Sequence, residues 1–293
     1  MNSTWLIGLL IMYQQVNMPE DLVITNNGHP ISAVNRTEFS TNLSELPFIN
    51  TKKLNKFMEE IDQKVSSQPK NALIDQKGNI IPEQVGYRLN RPMFTDKFFS
   101  YYFKKRSSKL EVPLQIIYPR VDSELLGTIR SEKIGTYVTT FNSHNKERNH
   151  NIYLAAKAIN NYVMFPGEVF SFNKVVGKRT AEKGYLPATV IVKGELSEDF
   201  GGGICQVSST LFNAVDNAGI KVIHRYSHSR EVSYVPPRRD ATVSWNGPDL
   251  IFKNEYNQPI LIQAKMLRTK LKVEIYSSDV ITYTPKKVPY LRY

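Results

Sequence analysis

Three consecutive glycines stand directly before an apolar helical pattern. Of all the local features in the sequence, this one constrains the backbone conformation most. Gly201, Gly202 and Gly203 are followed by Ile204 and by Cys205, the single cysteine of the chain. Glycine permits backbone conformations and close approaches that other residues do not. The first turn of a helix carries unpaired N–H groups and the positive end of the helix dipole. A thiol at this position is therefore expected to have its thiolate form favoured.

The composition is that of a folded protein with room for two domains. The chain has 293 residues, of which 41% are hydrophobic and 22% are charged. One cysteine excludes an internal disulfide and a zinc site built on several cysteines. The formal charge of +11 attracts polyanions. Nucleic acid, anionic lipid and anionic cell-wall polymers all fit that charge.

The amino terminus carries a short apolar run from Trp5 to Tyr13. This run is too short to span a bilayer but long enough for the apolar region of a signal peptide. No Lys or Arg precedes it, and no A-x-A-like cleavage site follows it. One interpretation is export or membrane association through this segment, with an extracytoplasmic location. The alternatives are a first strand or a wrongly assigned start.

Short strand-like segments around two or three helices predict an α+β fold. We predict a small N-terminal α/β domain followed by a mixed β-rich domain. Helical spacing of apolar residues appears near 54–65, 95–102, 152–162 and after Cys205, and strand-like segments include 230–235 and 241–243. The predicted boundaries are 1–50 for an N-terminal segment, 51–118 for a first domain, 119–133 for a polar linker, 134–276 for a second domain and 277–293 for a basic tail.

From about residue 141 to residue 264 the chain resembles the VanW family of bacterial proteins. The matching motifs occur in order at residues 151–156 (NIYLAA), 165–173 (FPGEVFSFN), 184–185 (GY), 201–211 (GGGICQVSSTL), 228–230 (HSR), 233–236 (SYVP) and 239–243 (RDATV). Residues 51–118 look like the peptidoglycan-binding domain that often precedes VanW domains. The resemblance implies an envelope protein that binds peptidoglycan and supports cell-wall maintenance or glycopeptide resistance. Arg238 stands where the family commonly has glycine, which puts a tight turn there in question.

Cys205 is the candidate nucleophile. Cysteine catalysis requires a thiolate, a base and a group that orients the base. His228 is the preferred base because it lies in a dense motif, and His224 is the weaker alternative. Asp240 is the preferred orienting group, and Asp199 is its alternative. Such a centre would act on peptidoglycan stem peptides as a hydrolase or transpeptidase.

Other residues of the same motifs are candidates for ligand binding. They are Gly201, Gly202, Gly203, Gln206, Ser208, Ser209, Arg230, Tyr234 and Arg239. An oxyanion hole would come from the Gln206 amide or from backbone N–H groups of the glycine run. The structural alternatives are equally specific: a packed cysteine, a hydrogen-bonding His228, a surface ion pair between Asp240 and Arg239, and glycines that let a strand pass close to the helix.

No cofactor or metal is expected. The glycine run lacks the Gly-Lys-Ser/Thr ending of a nucleotide P-loop, and His144, Glu147 and His150 match no standard ligand spacing. Basic and aromatic residues together can bind nucleic acid or stack on sugars. Because no nucleic-acid-binding motif is present, we favour peptidoglycan or an anionic wall polymer as the partner. Cytosolic nucleic-acid binding stays as a further alternative.

Overall fold

The computed structural model describes residues 21–41, 48–104, 108–192 and 195–291. The apolar run at residues 5–13 lies outside these ranges. The helices are, in chain order, α1 (Thr51–Val65), α2 (Arg91–Lys104), α3 (Ser123–Ile129), α4 (Lys146–Ile159), α5 (Phe172–Val176) and α6 (Ile204–Asn217). The strands are β1 (Asp21–Asn26), β2 (His29–Asn35), β3 (Leu73–Ile74), β4 (Ile80–Ile81), β5 (Gly86–Leu89), β6 (Ser108–Glu111), β7 (Leu114–Ile117), β8 (Glu132–Thr140), β9 (Tyr162–Met164), β10 (Val169–Ser171), β11 (Pro187–Val192), β12 (Glu195–Phe200), β13 (Lys221–His224), β14 (Ile251–Lys253), β15 (Ile260–Leu267) and β16 (Lys270–Ser277). This mixture confirms the predicted α+β class.

The chain divides into two compact units. The first unit contains residues up to 72 together with 82–120, and the second contains 73–81 together with 121–293. The hairpin of β3 and β4 therefore packs with the second unit, although it lies within the 51–118 segment. Asn161 holds this hairpin, because its side-chain amide donates to the Ile74 carbonyl oxygen at 3.0 Å and its oxygen accepts from the Ile74 N–H at 3.1 Å.

The first unit is built on a β2-β1-β6 sheet, a β5-β7 pair and helices α1 and α2. Asn27 and Gly28 both have positive φ values, 52° and 78°, as a two-residue hairpin turn requires. The apolar faces of the two helices meet over an aromatic cluster. Phe98 packs edge-on against Phe39 at a ring distance of 4.8 Å. Across the described ranges, each helix is too short or too polar to cross a lipid bilayer.

The second unit is centred on the antiparallel sheet β8-β16-β15-β9. Helix α6 packs on β8 and β16, and helix α4 packs on β15 and on α6. Smaller sheets, β10-β14-β13 and the hairpin β11-β12, complete the unit. Gly219, with φ 73°, follows the end of α6 in the left-handed conformation. Since α6 is buried along most of its surface, its polar side chains must find partners inside the protein.

Residues 119–133, 230–235 and 241–243 differ from the sequence-based expectation. The polar stretch 119–133 contains helix α3, whose first turn is capped by the Asp122 carboxylate accepting from the Leu125 N–H at 2.7 Å. Residues 230–235 and 241–243 form no strand. Residues 278–291 lack regular structure but pack on the second unit, where Tyr290 stacks on Tyr137 at a ring distance of 4.6 Å.

Candidate functional site

The second unit brings Cys205, His228 and Asp240 together. Cys205 lies in the first turn of α6, His228 lies in the loop after β13, and Asp240 lies in the irregular segment that follows that loop. The side chains of His228 and Asp240 are only 6% and 9% exposed. Cys205 is half-buried. The three preferred candidates for the catalytic group thus occupy one place.

Asp240 holds His228 through two short hydrogen bonds. Its Oδ2 atom accepts from the backbone N–H of His228 at 2.6 Å and contacts the ring Nδ1 at 2.6 Å. The first contact fixes the loop, and the second fixes the orientation of the imidazole ring. Because Nδ1 is engaged by the carboxylate, Nε2 is the ring nitrogen that can exchange a proton with another group. The predicted ion pair between Asp240 and Arg239 does not form, since Arg239 pairs with Asp216 at 2.8 Å.

The Cys205 sulfur lies against residues 242–243. Its Sγ atom is 3.5 Å from both the backbone nitrogen and the carbonyl oxygen of Val243, and 3.7 Å from the Thr242 hydroxyl. The Val243 N–H and the Thr242 hydroxyl can each donate to a thiolate. His228 is also close enough to the thiol for its imidazole to influence the thiol pKa. The two donors and the imidazole therefore favour the charged form of the sulfur.

The pKa values of the thiol and the imidazole move in opposite directions. Burial raises the pKa of Cys205, but the hydrogen bond and charge of His228, together with Val243 and Thr242, outweigh burial and lower it. Burial lowers the pKa of His228, but Cys205 and Asp240 outweigh burial and raise it. Burial likewise raises the pKa of Asp240, and its bonds with His228 lower it below its usual value. This combination favours a thiolate and an imidazolium held side by side.

The glycine run shapes the backbone that carries Cys205. Gly203 is the N-cap of α6 with φ 103°, a conformation that L side chains rarely adopt. Gly202 lies directly against β11, where an added Cβ would come within 2.5 Å of the Ala188 carbonyl oxygen. Asn151 fixes the same segment, because its amide donates to the carbonyl oxygens of Leu186 and Gly202 at 2.8 and 3.1 Å. The glycines therefore allow a strand to pass close to the helix, as the structural alternative predicted.

Gly202→Ala is expected to lower the free energy of unfolding by about 3 kcal/mol, the upper end of the range for overpacking, because the contact is with rigid backbone. Gly127→Ala is the matched control. Gly127 lies within α3 of the same unit, and an added Cβ there meets no atom within 4 Å, so we expect stabilisation of up to about 1 kcal/mol. Urea denaturation of the wild type and both variants measures these changes. A Gly202→Ala midpoint equal to that of the wild type would contradict the close approach at Gly202.

Gln206, Ser208 and Ser209 are bound within the protein. The Gln206 amide donates to the Thr139 hydroxyl at 3.0 Å and to the Thr140 carbonyl oxygen at 2.8 Å, so it has no hydrogen left for an oxyanion. The Ser208 hydroxyl donates to the Ala241 carbonyl oxygen at 2.5 Å, and the Ser209 hydroxyl accepts from the Ala241 N–H at 2.8 Å. These serines fasten the segment next to Asp240 onto α6 and so set the position of Asp240.

Two arginines hold the loop that carries His228 and Asp240. The Arg239 guanidinium donates to the Asn213 and Asp216 side chains at 2.7 and 2.8 Å. The Arg225 guanidinium donates to the Asp240 carbonyl oxygen at 2.6 Å. Arg238 has φ 63° and the Arg239 N–H donates to the Pro236 carbonyl oxygen at 3.0 Å, so a tight turn forms without glycine.

The remaining candidates lie in different surroundings. Tyr234 is half-buried beside the centre, and burial, with the charge of Cys205, raises the pKa of its phenol. Arg230, His224 and Asp199 are exposed, and the Asp199 carboxylate accepts from the Phe200 N–H at 2.7 Å. His150 contacts the Gly184 carbonyl oxygen at 2.9 Å.

Two half-buried arginines lie near the thiol, and no sequence pattern pointed to them. Arg148 lies in α4, and Arg179 follows α5. Burial lowers the pKa of both guanidinium groups, and the negative charge of Cys205 partly opposes that effect in each. Neither arginine belongs to a motif that suggests chemistry, and only the packing of α4 and of residues 177–180 near α6 places them there.

Comparison with known proteins identifies relatives. The family model described as "VanW like protein" matches residues 147–276. The chain is 53% identical over 282 residues to the Bacillus subtilis (strain 168) protein described as "Uncharacterized protein YoaR", covering 96% of this chain and 93% of that protein. It is 32% identical over 114 residues to the vancomycin B-type resistance protein VanW of Enterococcus faecalis (strain ATCC 700802 / V583), covering 36% of this chain and 40% of that protein. No solved structure matches the chain.

Proposed function

Because this chain belongs to the VanW family, we propose that it is a cell-envelope protein whose Cys205 centre breaks or exchanges amide bonds in peptidoglycan stem peptides. The coupling of Cys205 with His228 and Asp240 carries this proposal. A structural cysteine needs neither an oriented imidazole nor a lowered pKa, whereas a nucleophilic cysteine needs both.

The residues support a two-step acyl transfer. The Cys205 thiolate attacks the carbonyl carbon of an amide, so a C–S bond forms. The C–N bond then breaks, and the His228 imidazolium gives its proton to the leaving amine. The resulting thioester is attacked by water in hydrolysis or by an amine in transpeptidation, and His228 takes the proton of that attacking group. The C–S bond then breaks, which releases the acid or the new amide and regenerates the Cys205 thiolate. Asp240 keeps Nδ1 engaged throughout, so that Nε2 carries the proton in both steps.

The helix start supplies the donor for the oxyanion. The Ile204 N–H donates to the Gly201 carbonyl oxygen at 3.2 Å, and the Gln206 N–H donates to the Gly203 carbonyl oxygen at 3.0 Å. Within the described ranges the Cys205 N–H forms no hydrogen bond. A backbone N–H of the nucleophile itself, at the positive end of a helix, is well suited to stabilise the negative oxygen.

Two observations support the wall as the site of action. The Enterococcus relative is described as a vancomycin resistance protein, and resistance to a glycopeptide concerns the cell wall. The +11 charge favours retention on anionic wall polymers. We therefore assign the protein an extracytoplasmic location and a role in cell-wall maintenance or glycopeptide resistance.

Mass spectrometry of muropeptides incubated with the protein tests the enzymatic proposal. We expect new muropeptides with a shortened or exchanged stem, and a protein species heavier by one acyl group on Cys205. If the muropeptides and the protein both keep their masses under conditions where the protein binds sacculi, catalysis on the wall is excluded.

Binding to peptidoglycan without catalysis is the second candidate, and the charge of +11 is the observation that favours it. We expect the protein to co-sediment with purified sacculi, and the bound fraction to fall as salt screens the charges. Cys205→Ala should leave this binding unchanged. Failure to co-sediment at moderate salt contradicts wall binding.

A further inference from the structure

Arg179 is half-buried, and the terminal nitrogens of its guanidinium find no hydrogen-bond partner in the part of the chain that the structure describes. Both terminal nitrogens, Nη1 and Nη2, are shielded from solvent and form no hydrogen bond within the described residues. The guanidinium lies over the Phe172 ring, 5.8 Å from its centre. A buried unpaired charge is strongly destabilising. Such a group therefore requires an explanation in terms of a ligand or a reaction.

The position of Arg179 links it to the nucleophile. Its Cβ and Cγ atoms would be 3.0 Å from a Cβ added at Gly201, so its side chain lies against the glycine run that precedes Cys205. Burial lowers the pKa of the guanidinium, and interactions with Tyr185, Cys205 and Asp249 partly oppose that effect. The unpaired cation thus lies within electrostatic range of the thiol.

The neighbouring charges are already engaged. Arg148 differs from Arg179 because its Nη2 donates to the Gln206 side-chain oxygen at 2.8 Å. The Asp249 carboxylate accepts from the Ser171 hydroxyl at 2.6 Å and from the N–H groups of Asn173 and Leu250 at 2.9 and 2.8 Å. Asp249 thus stabilises the start of α5 and is not hydrogen-bonded to Arg179.

We propose that Arg179 forms an anion subsite beside Cys205 that binds a carboxylate of the substrate close to the reacting amide bond. A guanidinium offers two parallel N–H donors that match a carboxylate. In a shielded position this attraction is stronger than in water, and the subsite must open to admit the ligand. The inference rests on the proposed function and names its substrate class: peptides with a free carboxylate near the bond that Cys205 attacks, such as a stem with its C-terminus intact.

Alkylation of Cys205 with two reagents of similar shape tests the subsite. In each reaction the sulfur attacks the CH₂ carbon, a C–S bond forms and iodide leaves. Iodoacetate carries a carboxylate, whereas iodoacetamide is neutral. We expect the rate ratio of iodoacetate to iodoacetamide to fall about tenfold in Arg179→Gln, equivalent to about 1.4 kcal/mol. The pH dependence of the iodoacetamide rate in each variant corrects for any change in the thiol pKa.

Lys178→Gln is the matched control, since it removes the same charge from the adjacent exposed position. It should leave the ratio within about twofold of the wild-type value, as expected for an exposed and screened charge. Arg179→Lys keeps the charge but loses the paired donors, so its ratio should lie between those of the wild type and Arg179→Gln. An equal ratio in the wild type and Arg179→Gln overturns the subsite.

A binding measurement keeps the inference separate from catalysis. In Cys205→Ser we expect N-acetylalanine to raise the melting temperature, N-acetylalaninamide to leave it unchanged, and Arg179→Gln to abolish the difference. If N-acetylalanine alone raises the melting temperature of Cys205→Ser, and the wild type leaves muropeptides unchanged, the subsite is supported and the proposed function is overturned. If the wild type converts muropeptides, but neither the melting temperature nor the alkylation ratio distinguishes acid from amide, the proposed function is supported and the subsite is overturned.

Discussion

Cys205→Ala is expected to reduce product formation from muropeptides by at least about 10³-fold. When catalytic residues act together, removal of the nucleophile alone abolishes nearly all of the rate enhancement that they provide. The half-buried thiol packs against the core of the second unit, and its polar contacts are with Thr242 and Val243. Alanine is a small apolar residue that suits this position. We therefore expect the variant to fold and to bind sacculi as the wild type does. Liquid chromatography with mass spectrometry of the muropeptides provides the measurement.

Two further measurements make this result specific. Cys205→Ser keeps the shape of the side chain but replaces a readily ionised thiol by a hydroxyl, so it should be nearly as inactive as Cys205→Ala. The melting temperatures of both variants must lie close to that of the wild type for the comparison to hold. Full activity in either variant would show that the reaction does not pass through the sulfur.

Asp240→Asn is expected to reduce activity by about 10²- to 10⁴-fold, which is the loss of rate expected when a catalytic triad lacks its orienting carboxylate. The substitution preserves the shape of the side chain but removes the charge that faces His228. Since Asp240 helps to raise the pKa of His228, the imidazole pKa should fall in the variant. The thiol pKa should then rise, because a less protonated His228 stabilises the thiolate less well.

The pH dependence of activity distinguishes this mechanism from simple loss of stability. The wild-type rate should rise as pH increases through the lowered pKa of Cys205, and fall as pH increases through the raised pKa of His228. Asp240→Asn should narrow the pH range of activity, because its lower limit rises with the thiol pKa and its upper limit falls with the imidazole pKa. Asp279→Asn, which changes an exposed carboxylate of the same unit, should leave the range unchanged. An unaltered pH profile in Asp240→Asn would contradict the orienting role.

Segments with strong periodic patterns were predictable from the sequence. The apolar positions of α1 and of α6 repeat at helical spacing, and both helices form where the pattern predicts them. The hairpin of β3 and β4 forms around the turn at residues 76–78. These features depend on neighbours along the chain, which a sequence displays directly.

Residues 230–243 were not predictable in the same way. The alternation of Val232, Tyr234 and neighbouring residues indicates a strand, but none of the described strands pairs with them. Their apolar side chains pack instead against the core of the second unit. Contacts from α6, such as Ser208 with the Ala241 carbonyl oxygen, hold this backbone in an irregular path. Helix α3 was missed for a different reason: it has only 7 residues, so its apolar positions are too few to show a helical period.

The sequence by itself determined that a lone thiol stands at a glycine-preceded helix start, because backbone freedom and helix polarity are local properties. Tertiary structure alone decided that His228 lies near that thiol with Asp240 bound to its ring, that Gly202 packs against β11 and that Gln206 faces inward. It also placed Arg179 beside the glycine run, where its terminal nitrogens have no hydrogen-bond partner among the residues that the structure describes. These arrangements join residues far apart in the chain, and only the packing of helices and sheet around one core sets such distances.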